Sequence, residues 1–223
     1  IALSASGLRM AMGTIATNEW AGVVQVYDYD GAKWSRVGQQ IAGSQFREQS
    51  GASVSLSADG NVLAVGTKGG DKNRVVTYKL VEHSHEIAER RYEWVSHGQV
   101  LHGSGNEHEH FGSDVSLSHD GSIVAVSAKG DAALAQEQKD GIHVVSKDAH
   151  FLRGRIYVFQ FSETEWVRVD SGNIVGIKDG DEFGTAIALS ADGQWVIGGA
   201  PKRTDKAYKQ MMGSGMVFQA LPQ

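Results

Sequence analysis

The side chains best suited to chemistry cluster mid-chain. His108-Glu109-His110 places two imidazoles and a carboxylate side by side, with His102 just before and His83 and His85 in what reads as the preceding loop. Imidazole and carboxylate are zinc ligands, which makes His108 and His110 the metal candidates of this sequence. No His pair has helical i, i+4 spacing around a Glu, and Cys is absent, so a solvated polar loop is the plainer reading. A second cluster, Asp179-Gly180-Asp181-Glu182, is the densest run of carboxylates. Asp179, Asp181 and Glu182 are the candidates for a cation or a basic partner. Trp20 falls in a loop and is the aromatic expected to stand exposed for a ligand.

Glu48, Glu109 and Asp181 share one position, three residues before a Gly. A carboxylate that recurs this way is expected to accept hydrogen bonds from turn N–H groups; a ring of acidic residues binding a cation or a basic partner is the functional alternative. The absence of Cys removes disulfides, thiolate metal sites and cysteine nucleophiles together. No Gly-x-Ser-x-Gly elbow and no phosphate loop occurs. A non-catalytic protein is expected, with a site assembled from distant residues in a central channel as the enzymatic alternative.

The elements that must position these groups repeat. Leu3-Ser-Ala-Ser-Gly7, Leu56-Ser-Ala-Asp-Gly60, Leu117-Ser-His-Asp-Gly121 and Leu189-Ser-Ala-Asp-Gly193 are each followed by an apolar run. Strand, tight turn and strand therefore recur four times, the Gly supplying the positive φ of the turn. The run after each turn is apolar on both faces, as in a strand buried between two layers, and Trp195 is expected to be buried there. A third segment ends in an aromatic: Tyr27, Tyr78, Phe159, Phe218. A fourth begins with Trp34, Trp94 or Trp166, and the third copy carries one extra residue that reads as a bulge.

Each unit is thus a four-stranded antiparallel meander with two apolar faces, which must stack on its neighbours to bury them. The expected fold is all-β: a propeller-like array of about four four-stranded blades, in units of about 1–43, 44–103, 104–176 and 177–223. The first and last units are incomplete. Ile1 aligns with the inside of a strand, which reads as a partial or processed chain belonging to a larger propeller; a closed four-bladed ring is the alternative. Within the insertion Lys129–Leu152, the Ala132–Gln138 stretch has the composition of a short helix.

Phe111-Gly112, Phe183-Gly184 and Gly199-Ala200-Pro201, with degraded copies at Gly13-Thr14, Gly66-Thr67 and Ser127-Ala128, resemble the FG-GAP repeat of integrin α-subunit-type β-propellers. The resemblance covers nearly the whole chain. It implies an adhesion or assembly module, extracellular or at the cell surface, that presents loops to a protein partner or neighbouring subunit; a glycan-binding, lectin-like propeller is the alternative. Many such blades bind calcium through Asp-x-Asp-x-Asp-Gly. Here that loop shrinks to Ser-Ala-Asp-Gly, whose single carboxylate cannot supply six to eight oxygens, so calcium is not carried over and no cofactor is expected.

The 223 residues are 41% hydrophobic and 21% charged, a composition that folds. A net charge of −5 gives no electrostatic case for nucleic acid, and no apolar run reaches membrane-spanning length.

Overall fold

Four tight turns organise the chain. The computed structural model describes residues 1–69, 73–85, 88–104, 109–130, 138–139, 142–143, 153–170, 174–178, 180–204 and 212–221. Gly7, Gly60, Gly121 and Gly193 sit in these turns with φ of 70°, 73°, 73° and 71°, a region open to glycine at little cost. In three of the turns the serine and aspartate side chains close the hairpin themselves. Ser57, Ser118 and Ser190 donate from Oγ to Asp59, Asp120 and Asp192 at 2.6, 2.7 and 2.6 Å. The same Oγ atoms accept the N–H of Val62, Ile123 and Trp195.

The strands between turns form four antiparallel blades, in chain order within each blade. Blade 1 comprises β1 (Ala2–Leu3), β2 (Arg9–Thr14), β3 (Val23–Tyr29), β4 (Trp34–Arg36) and β5 (Ile41–Ala42). Blade 2 comprises β6 (Ser53–Leu56), β7 (Val62–Gly66), β8 (Val75–His85) and β9 (Ala88–Ser96). Blade 3 uses β10 (Phe111–Leu117) and β11 (Ile123–Ala128). After a separate two-stranded hairpin, β12 (Gln138–Lys139) and β13 (Ile142–His143), it continues with β14 (Arg155–Ser162) and β15 (Glu165–Arg168). Blade 4 is three-stranded: β16 (Ile187–Leu189), β17 (Trp195–Ala200) and β18 (Ser214–Gln219). The described residues contain no helix, and the blades make a four-blade, β-propeller-like arrangement.

Three apolar clusters bind consecutive blades. Ala11, Val24 and Val26 of blade 1 meet Leu56, Leu63, Val65 and Trp94 of blade 2. Val62, Ala64 and Val75 of blade 2 meet Phe111, Val124, Val126 and Tyr157 of blade 3. Ile123, Ala125, Ile156 and Val158 of blade 3 meet Phe183, Val196 and Ala200 of blade 4. β7 and β11 are consequently buried on both faces. Burying each large aliphatic or aromatic side chain stabilises by roughly 1.5–3 kcal/mol. Phe111 and Phe183 fill wedges between blades. A Cβ on Gly51 would come within 2.9 Å of Gly13 Cα, so this blade contact needs glycine.

Polar joints reinforce the apolar ones. Ala5 N–H donates to Ala58 O, Ala58 N–H to His119 O and His119 N–H to Ala191 O, at 2.9, 2.8 and 2.8 Å, a ladder linking all four turns. Ser55 Oγ accepts Leu117 N–H at 3.0 Å, and Ser116 Oγ accepts Leu189 N–H at 2.9 Å. The first serine of the Val-Ser-Leu-Ser segment thus stitches blade 2 to blade 3 and blade 3 to blade 4. Gln39 and Gln99 act as amide clamps. Gln99 donates to Trp166 O at 2.7 Å and accepts Trp166 N–H at 2.8 Å; Gln39 does the same for Trp94.

Four expectations need correction. Trp195 is exposed rather than buried, because none of the described residues packs over its face of β17. The Trp segment breaks in two in blade 1, where β4 and β5 pair separately with β3 around Gly38 at φ 72°. His83 and His85 lie in β8, not in a loop, since β8 and β9 run on as a long two-stranded arm. Gln138 is in β12 rather than in a helix; residues 132–137 lie outside the described residues, as does the extra residue read as a bulge after Trp166.

Candidate functional site

The recurring carboxylates are turned inward. Glu48 Oε2 accepts the N–H groups of Ser44 and Gln45 at 2.7 and 3.0 Å, and its Oε1 pairs with Arg74 at 2.6 Å. Glu109 accepts Ser104 N–H at 2.8 Å and the Tyr157 hydroxyl. Asp181 accepts Lys178 N–H at 3.2 Å. All three are buried and clasp the loop that precedes the next blade. Glu182 pairs with Lys202 at 2.7 Å, so Asp181 and Glu182, the described members of the acidic run, have different partners. Asp179 and His108 lie outside the described residues. His110 has φ 53°, and its carbonyl accepts Ser113 N–H at 3.1 Å. His83 meets Glu93 at 3.1 Å on the exposed arm. Among the described residues no group of three or more His, Asp or Glu is placed to hold a metal ion.

A run of left-handed backbone lies at Trp20. Asn18, Glu19 and Trp20 are three consecutive non-glycine residues at positive φ, 51°, 58° and 67°. Arg47 and Gln49, in the adjacent loop, have φ of 58° and 54°, and these positions follow the repeat: Gly180 at 81° corresponds to Arg47, and His110 at 53° and Glu182 at 50° correspond to Gln49. The two loops are tied by Gln49 N–H donating to Trp20 O at 2.9 Å and by Ser50 N–H donating to Ala21 O at 2.8 Å. Left-handed backbone at non-glycine residues costs energy and concentrates at sites where the fold holds a loop for a purpose. This pair of loops presents Trp20 and Phe46 exposed, with the Arg47 guanidinium 5.1 Å from the Phe46 ring centroid. Sequence reasoning singled out Trp20 and missed Phe46 and Arg47. They occur in one unit only, so no repeat marks them.

A second feature lies at the turn ends of blades 2 and 3, a cleft of about 470 Å³ lined by Asp59, Asn61, Lys79, Tyr92, His97, Asp120, Ser122 and Phe161 among others. His97 stacks on Phe161 with ring centroids 3.9 Å apart, and burial, aided by the Lys79 charge, holds its pKa down. Partial burial pushes Asp59 and Asp120 up, but hydrogen bonds from Ser57 and Asn61, and from Ser118 and Ser122, hold both below the ordinary carboxylate value. The corresponding position between blades 1 and 2 is occupied by Arg9, bonded to Asp28, Gly60 O and Asn61. Val62 replaces Arg9 one blade later and is too short to fill the space.

No family model matches the sequence, and neither does any curated protein. Solved structures do. A candidate 6-phosphogluconolactonase from Bacteroides uniformis aligns with 98% of this chain and 54% of its own, at 10% identity and a TM-score of 0.52. The Cps50 (Swd1) β-propeller domain of Myceliophteria thermophila aligns with 99% and 54% at 12% identity and a TM-score of 0.48. A TolB-like protein from Agrobacterium tumefaciens aligns with 100% and 61% at 13% identity and a TM-score of 0.39. The chain spans about half the length of the first two. These likenesses are of fold, and the chain has a β-propeller fold.

Proposed function

We propose that this chain is a non-catalytic propeller module that binds a protein partner through the loop edge carrying Trp20, Phe46 and Arg47. The observation that carries this reading is the strained loop pair. It holds two exposed aromatics and an arginine, residue types favoured at binding interfaces, beside three consecutive non-glycine residues at positive φ, Asn18, Glu19 and Trp20. The repeat-locked polar side chains, by contrast, close the turns and hold blades together. Membership of the FG-GAP family and an extracellular or cell-surface setting, with a role in adhesion or assembly, accord with the Phe-Gly and Gly-Ala-Pro residues and belong to this proposal.

The test compares the wild-type chain with Trp20→Ala and Phe46→Ala as baits for cell-surface extracts. Proteins retained by the wild type and lost on both variants support the reading; identical retention by all three baits refutes it. The cleft between blades 2 and 3 favours a second reading, glycan binding, because rings at Tyr92 and Phe161 lie beside carboxylates and an amide. Signal on a glycan array that Tyr92→Ala abolishes and Trp20→Ala leaves intact selects that reading instead.

A further inference from the structure

The loop entering a blade lies against the loop between that blade's second and third strands. In blade 4 an ion pair joins the two: Glu182, two residues before Gly184, meets Lys202 at 2.7 Å. Blade 2 lacks that carboxylate. Gln49, two residues before Gly51, stands where Glu182 does, and Lys68 sits one position earlier in its loop than Lys202 does in blade 4. The blade 2 loops still touch. Gly69 N–H donates to Glu48 O at 3.1 Å, and a Cβ on Gly69 would lie 3.3 Å from Gln49 Cγ. Lys68 is exposed and has no ion-pair partner among the described residues.

Arg47 adds a second cation at the position that Gly180 holds in blade 4. Its guanidinium lies 5.1 Å from the Phe46 ring centroid and pairs with no carboxylate among the described residues. A third loop completes the patch: Arg47 N–H donates to Glu19 O at 3.4 Å and Gln49 N–H to Trp20 O at 2.9 Å. Trp20, Phe46, Arg47 and Lys68 therefore ride on three loops in backbone contact, with Trp20 49% and Phe46 62% exposed. Glu19 is the one exposed carboxylate on the described residues of these loops, and it pairs with neither cation. Glu48 is buried beneath them and neutralised by Arg74. In a chain of net charge −5, this edge sets two exposed cations against one carboxylate.

We infer that the protein partner of this edge presents an acidic segment, its carboxylates seated on Arg47 and Lys68 and an apolar or aromatic side chain lying against Trp20 and Phe46. The inference rests on the reading of this edge as a docking surface and names the chemistry that docks there. The carboxylate that the fold gives Lys202 from within, the partner gives Lys68 from outside. A guanidinium stacked on a ring keeps its N–H fork free for bidentate pairing with a carboxylate. Aromatic side chains around such a pair exclude water and strengthen it. Two cations opposed by a carboxylate fall well short of the about 4–8 clustered cations of a surface that holds anionic lipid.

The test is equilibrium binding of the whole chain to a random copolymer of glutamate and tyrosine, measured by interferometry in about 0.05 M salt. The wild type is expected to bind. Arg47→Ala and Lys68→Ala, both at exposed positions, should each weaken binding by at least about fivefold, and about 0.5 M salt should weaken the wild type by as much. Lys202→Ala removes the same unit of charge from a lysine that is already paired, and should leave binding unchanged. An equal loss on Lys202→Ala would reduce the effect to net charge and overturn the inference. So would binding that Trp20→Ala abolishes but Arg47→Ala and Lys68→Ala leave intact, an outcome that keeps the docking edge and removes its acidic partner. A wild type that ignores the copolymer also overturns the acidic partner, while bait retention lost on Trp20→Ala still upholds the edge. Binding to phosphatidylserine vesicles that Arg47→Ala abolishes would replace the acidic segment with a lipid surface and overturn the inference.

Discussion

Two glycines with nearly the same backbone separate the cost of a turn from the cost of a blade contact. Gly7 and Gly121 have φ of 70° and 73° in equivalent turns. A Cβ on Gly121 would lie 2.8 Å from Val62 Cβ and 3.2 Å from Ser57 Cβ, both in blade 2; on Gly7 it would find open space. Ala at either site pays about 1–2 kcal/mol for the left-handed conformation, and the effect on the unfolded chain is the same for both and cancels in the comparison. Only Gly121→Ala must also push two neighbouring blades apart, an overpacking cost of about 1–3 kcal/mol. Gly121→Ala is therefore expected to destabilise more than Gly7→Ala by about 1–3 kcal/mol, or roughly 2–12 °C in melting temperature for a chain of this size. The assay is urea unfolding of both variants. Equal losses at the two sites would refute the placement of the third turn against blade 2.

Gln99→Ala removes both bonds of the clamp on Trp166 and should cost about 1–3 kcal/mol in the same assay, and Gln99→Glu, which sets a carboxylate oxygen against the Trp166 carbonyl, should cost no less. Asp120, held below its ordinary pKa in the fold, contributes stability that is present above the unfolded value near pH 4 and lost as pH falls through the folded one. Asp120→Asn should flatten that acid limb of a stability–pH curve by lowering its neutral plateau, since the contribution of the ionised carboxylate is lost at neutral pH. Chelator should leave the melting temperature unchanged, since each turn carboxylate is already bonded to its own serine; a drop of more than a few degrees would restore calcium to these turns.

The repeat was legible because its physics is local. A positive-φ Gly, an alternating strand before it and a doubly apolar strand after it identify a blade without reference to any other part of the chain. Exposure of Trp195 was not legible, because its segment has the same pattern as the buried Val62–Val65 and Ile123–Val126; what differs is the presence of a neighbour. The clamps were legible in principle, since Trp-x-x-x-Gly-Gln occurs at Trp34–Gln39 and again at Trp94–Gln99. The recurring Glu48, Glu109 and Asp181 follow the turn-capping expectation because their neighbours offer N–H groups within a few residues. Phe46 and Arg47 owe their presentation to two loops meeting across blades, and no local pattern encodes such a meeting.

Amide hydrogen exchange at Leu117 and Leu189 tests blade stacking most directly. Their N–H groups donate to Ser55 and Ser116 of the preceding blade, so the bonds exist only if blades lie face to face. The account predicts protection comparable to the central strands β7 and β11, and faster exchange at Leu117 when Ser55 is replaced by Ala. Exchange at both amides as rapid as in the exposed loop around Gly31 would contradict it.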